Sequence, residues 1–344
     1  MDPNELRRID FSLSEEQEAI RELFADFFEK QSSTDVVRAA EPTGFDQNLW
    51  EQLLELGVSQ MGVPEERGGD GVGISELVVI AEEFGRVLAP VPLLEHIVAT
   101  RLLARVNRAA AEELLTDAIA GTRILGFAAE PLTTRQIVST AAVTKDVVAF
   151  DGESLIIVSA ERREHVHNQA SLPYAWVDPG AEQVTKLTAT DAAELHDTAL
   201  RELKTLTAAA LVGLTEAALE LALEFVKSRE TMGVSIGALQ GVAFPLVDVS
   251  IGIAGSRNLA YRAAWFLDNE PDSEPWLQAS ALVHATETAT VGVTTSQHMQ
   301  GGLGFTTEAD ASLYFLRAKG WALSAGNPRD DTRRIGELRI SSAA

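Results

Sequence analysis

The chain has 344 residues, of which 46% are hydrophobic, and it contains no cysteine. This length can bury a sizeable core in two or three substructures, and the lack of cysteine excludes disulfides, thiol catalysis and Cys-ligated metal sites. Because the formal net charge is −23, the chain lacks the basic surface that nucleic acids and anionic membranes require. The sequence has no run of about 18 apolar residues and no apolar signal segment, so we expect a cytoplasmic protein without membrane insertion.

Residues 1–118 are predicted to form an N-terminal helical domain. The segment "SLSEEQEAIRELFADFFEK" begins with Ser14 and Gln17 at the spacing of a capping box, and its phenylalanines recur at helical intervals. Further helices are expected in "FDQNLWEQLLELGV" and "ISELVVIAEEFGRVLA", which a glycine-rich loop separates. Two more helices rich in alanine and leucine complete this bundle.

Residues 119–198 change in character and are predicted to form a small middle β domain. Short runs of β-branched and aromatic residues, such as "DVVAF" and "LIIVSA", are divided by Gly, Asp and Pro. This pattern favours an antiparallel sheet. His165 and His167 would share one face of a strand, but a metal ion needs further ligands, so we expect a solvated pair.

Residues 199–344 are predicted to be helical again and to form a C-terminal four-helix bundle. The first run could extend about 45 Å as one helix, and its apolar residues on nearly all sides indicate burial between other helices. The sequence therefore predicts an α+β protein that is mainly α, with an N-terminal helical bundle, a small middle β domain and a C-terminal four-helix bundle. Exposed apolar faces of that last bundle would serve association.

Two motifs in the C-terminal domain are suited to binding a phosphate-bearing ligand. Arg229 follows the long helix, and a guanidinium offers several fixed donors to a diphosphate. The alternative for Arg229 is a cation that the helix dipole favours at a C-terminus. In "QGGLGF", Gly301 and Gly302 allow a ligand close to the backbone and leave N–H groups free for phosphate oxygens. The alternative for this glycine pair is a plain turn between helices.

The order of the three domains, together with both motifs, resembles the acyl-CoA dehydrogenase family over nearly the whole chain. The family pattern of Arg, Thr or Gln, Gly and Gln falls on residues 229–240 in "SRETMGVSIGALQG", and its Gly-Gly-x-Gly-aromatic turn falls on residues 301–305. The resemblance implies FAD-dependent oxidation of an acyl-CoA thioester, with electron-transfer flavoprotein as the acceptor. It also implies that the ADP half of FAD is contacted across a dimer interface by Arg229, Thr231, Gln240, His298, Gln300, Gly301 and Gly302.

The sequence departs from the family pattern at the residues expected around the flavin. His298 replaces the family's glutamine before the glycine pair. The family stretch that cradles the flavin ring is reduced to "AAEPLTTRQ", in which Ala129 replaces a hydroxyl residue and no Gly-Ser-Asp follows. We therefore expect this chain to hold the isoalloxazine ring poorly by itself.

The family's catalytic base is also missing. In the family, a glutamate removes the α-proton of the thioester, a kind of step in which a placed base supplies about 10² to 10⁴ in rate. The two places where members carry it correspond here to Ala325 and Leu203, and neither side chain accepts a proton. Glu202 adjoins Leu203, but one residue turns a helix by about 100°. We therefore expect Glu202 to face elsewhere, as an exposed charge between Arg201 and Lys204.

A chain with the ADP-side motif but without the base resembles the short, non-catalytic subunit of actinobacterial α₂β₂ heterotetrameric acyl-CoA dehydrogenases. Several of those enzymes act on CoA thioesters of steroid side chains or rings. The resemblance implies that a second, catalytic subunit supplies the base and the flavin-ring site. Two alternatives stay open, namely a self-sufficient homotetramer that uses Glu202 as base, and a structural subunit that does not touch flavin.

Overall fold

The computed structural model describes residues 10–188 and 190–342. The predicted capping box is confirmed, because the Ser14 hydroxyl accepts a hydrogen bond from the Gln17 amide at 3.2 Å and the Gln17 side chain accepts one from the Ser14 amide at 3.0 Å. In the described N-terminal part, the helices are α1 Glu15–Gln31, α2 Thr34–Ala40, α3 Gln47–Glu55, α4 Val58–Met61, α5 Ile74–Arg86, α6 Leu93–Ala104 and α7 Ala109–Ile119.

The middle part contains the strands β1 Leu125–Phe127, β2 Gln136–Val138, β3 Asp146–Phe150, β4 Leu155–Ser159, β5 Ala175–Val177 and β6 Gln183–Thr188. One sheet has the order β1-β3-β4-β6, and β2 pairs with β5. All pairs are antiparallel except β1–β3, so the prediction of an antiparallel domain is wrong for that pair. The long connection that carries β2 gives the chain room for the crossover that parallel strands require.

The two histidines of the β domain lie in different environments. His165 is half-buried, and its Nε2 lies 3.0 Å from the carbonyl oxygen of Leu172. His167 is exposed. The expectation of a solvated pair is therefore correct for His167 and wrong for His165. Over residues 10–188 and 190–342, no three metal-ligating side chains come together.

The C-terminal part begins with α8, which starts at Ala192, ahead of the expected boundary at residue 198, and runs for 37 residues. It contains one helix more than the four predicted, because the chain turns at residue 326 into a last helix. The elements are α8 Ala192–Ser228, β7 Glu230–Thr231, β8 Val234–Ser235, α9 Gln240–Asn269, α10 Leu277–Met299, α11 Asp310–Ser324 and α12 Pro328–Ser342.

Helix α8 is the central helix of the molecule. By length and composition it is the one helix in the described part of the chain that could cross a membrane, but its most apolar window is 78% buried inside the protein. It packs against α5 and α6 on the N-terminal side and against α9, α10 and α11 of its own bundle. Its apolar residues on all sides thus serve a protein core, as its sequence pattern predicts.

Helices α5 and α8 cross with their backbones in contact. A Cβ atom at Gly213 would lie 1.9 Å from the carbonyl oxygen of Glu82, and a Cβ atom at Gly85 would lie 1.9 Å from that of Ala210. Both positions require glycine, because any side chain would force the helices apart. The crossing joins the N-terminal helices directly to the C-terminal bundle.

Candidate cofactor-binding site

The first motif forms a hairpin at the end of α8. Arg229 ends the helix with an extended backbone, and its carbonyl oxygen accepts a hydrogen bond from the Ile236 amide at 2.8 Å. The turn between β7 and β8 consists of Met232 and Gly233, with φ values of 51° and 79°. The hydroxyl of Ser235 donates to the carbonyl oxygen of Val226 at 2.7 Å. These bonds fix an exposed loop just before Gln240 begins α9.

The second motif lies at the same end of the bundle. Met299, at the end of α10, packs on a small apolar cluster that also holds Val226 of α8 and Leu246 of α9. One turn earlier, the Ser296 hydroxyl donates to the carbonyl oxygen of Ala218 at 2.5 Å. The fold therefore brings the two motifs, about 60 residues apart in the chain, to one face of the molecule.

Five polar side chains of this face, those predicted to bind FAD, have no partner within the part of the chain that the structure describes. Among residues 10–188 and 190–342, none forms a hydrogen bond or ion pair with the side chains of Arg229, Thr231, Gln240, His298 or Gln300. Free donors of this kind fit the anionic ADP end of a dinucleotide. The role of each residue in binding stays a prediction.

The glycine pair adds open space next to these donors. Gly301 has a φ of 58°, which favours glycine. A Cβ atom at Gly301 or Gly302 would meet no atom within 4 Å, so a ligand can approach the backbone closely there. By contrast, Gly304 packs against the backbone of Gln297, where a Cβ atom would lie 2.4 Å from the carbonyl oxygen. That third glycine has a structural role.

The two stretches that depart from the family pattern meet at a second place, between β1 and the end of α11. Ala325 is fully buried. The next residue, Gly326, has a φ of 115°. A Cβ atom built on Gly326 would lie 3.4 Å from Glu130 Oε1 and 3.9 Å from Lys204 Cε. A small cavity here is bordered by Ala129 and Gly326. The cavity wall at Ala129 has no hydroxyl donor for a flavin ring, and Ala325 is no base.

Glu130 is a carboxylate at this cavity that sequence reasoning did not single out. In the sequence it stands within "AAEPLTTRQ", the stretch that departs from the family pattern. The contact with Gly326 joins residues almost 200 positions apart, so no local pattern could have indicated it. The exposed position of Glu130 leaves its carboxylate in water.

Glu202 is buried, and the expectation of an exposed charge between Arg201 and Lys204 is wrong. Only 2% of Glu202 is exposed, and its Oε1 accepts hydrogen bonds from Arg101 at 3.1 Å and from Arg105 at 2.5 Å. Burial raises the pKa of Glu202, but the two arginines outweigh burial and hold the pKa below its usual value. A carboxylate held in this way is a weak base.

The neighbours of Glu202 on α8 are also engaged. Arg201 donates to Gln278 at 3.1 Å, and Lys204 forms a buried ion pair with Asp331 of α12. The reason for the wrong expectation is that other helices surround α8, so that its charged residues find partners on every side. Leu203, at the second family position for the base, is fully buried.

Comparison with known proteins agrees with this fold. The profile of the acyl-CoA dehydrogenase N-terminal domain matches residues 14–122, and that of the C-terminal domain matches residues 193–334. Acyl-CoA dehydrogenase IpdE2 of Mycolicibacterium smegmatis is 31% identical over 332 residues, which cover 94% of this chain and 98% of the relative. Acyl-CoA dehydrogenase FadE27 of Mycobacterium tuberculosis is 30% identical, over 85% of this chain and 88% of that protein.

A solved structure supports the same assignment. A variant of the Tcur3481-Tcur3483 steroid ACAD matches with a TM-score of 0.84 and 25% identity, over 96% of this chain and 99% of that chain. Similarity over nearly the full length, in sequence and in fold, therefore supports the assignment to one family. The chain belongs to the acyl-CoA dehydrogenase family, which is a family of FAD-dependent oxidoreductases.

Proposed function

We propose that this chain is the non-catalytic subunit of a heterotetrameric acyl-CoA dehydrogenase. It contributes the ADP side of an FAD site at an interface, and a second subunit supplies the base and the flavin-ring site. One observation carries the proposal. Ala325 and Leu203, at the two positions where the family places its glutamate, are both fully buried apolar residues, while the polar residues of the two motifs face outward.

In this role the chain binds and orients, and it transfers no proton. Arg229 would donate hydrogen bonds to the diphosphate oxygens of FAD, and Gly301 and Gly302 would admit that ligand to the backbone. Bound FAD would supply the acceptor for the β-hydride of the acyl-CoA thioester. The carboxylate that removes the α-proton comes from the partner, because Glu202 is held as an ion-paired carboxylate by Arg101 and Arg105.

Apolar side chains next to the hairpin support an interface at this end of the bundle. Phe244, Val247 and Ile251 follow one another on one side of α9, and they are 59%, 54% and 66% exposed. We call them the α9 apolar face. Leu303 and Phe305, beside the glycine pair, are 51% and 68% exposed. Contiguous exposed apolar surface of this kind is typical of protein interaction sites.

The proposed substrate class is the CoA thioester of a steroid side chain or ring, with electron-transfer flavoprotein as electron acceptor. This proposal is supported by the similar solved structure, which is described as a steroid ACAD and whose description names two components, Tcur3481 and Tcur3483. Co-purification of the chain from its native host identifies the partner. We expect the isolated chain to be colourless or poorly soluble, and the complex to carry FAD.

Arg229→Ala tests the cofactor role in that complex. Removing a charged donor to phosphate weakens binding by about 10-fold or more, so the FAD affinity and the FAD-to-protein ratio of the complex decrease. Arg162→Ala, at an exposed arginine of the β domain, is the matched control and leaves both unchanged. If Arg229→Ala also leaves both unchanged, the chain is a structural subunit that does not touch flavin.

Ala325→Glu tests the statement that this chain lacks a flavin-ring site as well as a base. We expect the variant, assayed alone with FAD and an acyl-CoA, to show no acceptor reduction, as we expect for the wild type. Activity in the variant would mean that the ring site is complete. Activity in the isolated wild type would support a homo-oligomeric enzyme, and Glu202→Gln and Glu130→Gln would then identify its base.

A further inference from the structure

Residues 301–310 lie between α10 and α11 and include the first residue of α11, and we call them the glycine-turn segment. Its two large apolar side chains, Leu303 and Phe305, are more than half exposed, so they add little to the core. The hydrogen bonds within the segment are local, such as the bond from the Thr306 amide to the carbonyl oxygen of Leu303 at 2.9 Å. Local bonds give the turn its shape but do not fix its position relative to the other domains.

Arg38 of helix α2 reaches the glycine-turn segment from the N-terminal domain. Its Nη1 donates to the carbonyl oxygen of Thr307 at 2.6 Å. Its Nη2 donates to the carbonyl oxygen of Glu308 at 3.3 Å and to Asp310 Oδ1 at 2.9 Å. Within the described chain, no other residue outside the segment and its two flanking helices forms a hydrogen bond or an ion pair with it.

Helix α2 holds Arg38 on a packed base. The preceding residue, Val37, is fully buried in the core that also contains Phe24 and Phe28 of α1. The Arg38 side chain is 27% exposed and that of Asp310 is 35% exposed, so the contact is partly shielded from water. A guanidinium presents its donors in a rigid planar fork. A fork bound to three acceptors constrains the orientation of the turn as well as its distance from α2.

The acceptors distinguish this contact from an ordinary surface ion pair. An ion pair between two exposed side chains contributes little, because both side chains keep their freedom to move. Two of the three acceptors here are backbone carbonyl oxygens, so the bonds constrain the path of the main chain itself. The two residues concerned, Thr307 and Glu308, follow Gly302 by five and six positions. The constraint therefore acts close to the glycine pair that is predicted to receive the ligand.

We propose that Arg38 is a positioning residue for the FAD site. By holding the carbonyl oxygens of Thr307 and Glu308, it keeps Gly301 and Gly302 in the conformation that receives the ADP end of FAD. This inference rests on the proposed function, because it concerns the same site. Arg38 acts through the turn and does not touch FAD. Its effect is on the fraction of molecules whose turn is ready for the ligand, and the apparent Kd rises in inverse proportion to that fraction.

Arg38→Ala in the co-purified complex tests the proposal. Without the three bonds the turn samples other conformations, and a competent fraction of about one in ten lowers the FAD affinity about 10-fold. Arg38→Lys keeps the charge but replaces the fork by a single point contact, so we expect an intermediate loss of about 3-fold. Fluorescence titration of the FAD-depleted complex measures the Kd. Hydrogen exchange of the same complex without FAD should be faster at residues 301–310 in Arg38→Ala.

Two further variants separate positioning from general stability and from charge. Arg67→Ala removes a comparable ion pair, in which a guanidinium 22% exposed contacts Glu112 at 2.8 Å within the N-terminal domain. It should leave the FAD affinity unchanged, even where its melting temperature falls as far as that of Arg38→Ala. Asp310→Asn removes the charge pair but keeps both carbonyl bonds, so its FAD affinity should stay within about 2-fold of the wild type.

The outcomes that would overturn the proposal are specific. If Arg229→Ala weakens FAD binding and Arg38→Ala does not, the cofactor role of the chain stands and the positioning role is wrong. If neither substitution weakens FAD binding, the proposed function itself fails, and the positioning role fails with it. An equal loss of affinity in Asp310→Asn would assign the effect to charge, and an equal loss in Arg67→Ala would assign it to stability. Unchanged hydrogen exchange at residues 301–310 would mean that Arg38 does not hold the turn.

Discussion

Glu202 lies in the interior of α8 as an ionised carboxylate, paired with Arg101 of α6 and with Arg105, the residue that follows α6. Glu202→Gln would leave Arg101 and Arg105 without their counter-charge, so we expect the free energy of unfolding to fall by about 3 kcal/mol or more. Urea denaturation at pH 7 measures this change. Glu224→Gln, at an exposed position of the same helix, is the control and should change stability by less than about 0.5 kcal/mol.

The same pair predicts a pH dependence. Because the arginines hold the pKa of Glu202 below the ordinary value of 4.5, its contribution to stability is present above about that pH. The contribution is lost as the pH falls through the pKa of the folded state. Glu202→Gln should therefore flatten the acid limb of the stability curve. An unchanged acid limb would mean that Glu202 is not ion-paired in solution.

His96 joins the N-terminal helices to the β domain. Its Nδ1 accepts a hydrogen bond from the Leu125 amide at 3.1 Å, and its ring contacts the edge of Trp50. Burial lowers the pKa of His96 from 6.5 to about 4. Below pH 6.5 the unfolded chain therefore binds a proton that the folded protein does not, and stability falls as the pH falls towards 4.

We expect His96 to cost the wild type about 2 kcal/mol of stability between pH 7 and pH 5, at about 1.4 kcal/mol per pH unit below 6.5. Urea titrations at the two pH values measure it. His96→Asn should lose this part of the pH dependence, whereas His167→Asn, at an exposed histidine, should keep it. Equal pH dependence in both variants would contradict the burial of a neutral His96.

At the scale of elements, the α5–α8 crossing determines how the domains fit together. Gly213→Ala would place a methyl group against the backbone of Glu82, and backbone cannot rotate away as a side chain can. We expect a loss of about 3 kcal/mol or more, or failure to fold. Thermal and urea denaturation measure it. A melting temperature equal to that of the wild type would show that the helices do not cross at this distance.

A second glycine-to-alanine substitution separates the effect of the close α5–α8 crossing on stability from the effect of helix propensity. Gly336 lies in the middle of α12, and a Cβ atom there would meet no atom within 4 Å. Gly336→Ala should therefore be neutral or stabilising by up to about 1 kcal/mol. Both substitutions add one methyl group to a helix. The opposite signs expected for their effects on the free energy of unfolding therefore follow from the packing around each glycine.

At the scale of the whole molecule, the α9 apolar face should decide assembly. Under the proposed function, changing Val247 and Ile251 together to Glu would put two charges into the interface with the partner subunit, so we expect the complex to dissociate. Light scattering after size exclusion measures the mass, and circular dichroism checks the fold. Val184→Glu, on an exposed strand of the β domain, should leave the complex intact. Persistence of the complex in the double variant would place the interface elsewhere.

Periodicity and local motifs predicted most of the fold. The capping box at Ser14 and Gln17 and the long buried helix are properties of neighbouring residues, so the sequence alone contains them. The parallel β1–β3 pair and the burial of Glu202 depend on contacts between distant parts of the chain. Arg101, one of the two arginines that pair with Glu202, lies 101 residues away from it in the chain. A charged residue between Arg201 and Lys204 therefore looks exposed until the surrounding helices are known.

The candidate site was predictable to a similar degree. The hairpin after Arg229 and the turn at Gly301 are local, and the fold brings them to one end of the bundle. Arg38 gave no signal, because an arginine within "TDVVRAA" is typical of the solvent side of a helix. Its bonds to Thr307 and Glu308 join residues that lie 269 and 270 positions apart in the chain.

Lys204, which Asp331 holds in a buried ion pair, would weaken a base introduced at position 325. Under the proposed function, a mutation that restores glutamate there would place a carboxylate beside Gly326, whose Cβ position is 3.9 Å from the Lys204 side chain. An adjacent ammonium group keeps a carboxylate ionised and makes it a poor proton acceptor. A glutamate at position 325 would thus be an effective base only after a further substitution near Lys204. Activity without the partner subunit would need at least two substitutions, the first of which alone brings no gain in activity.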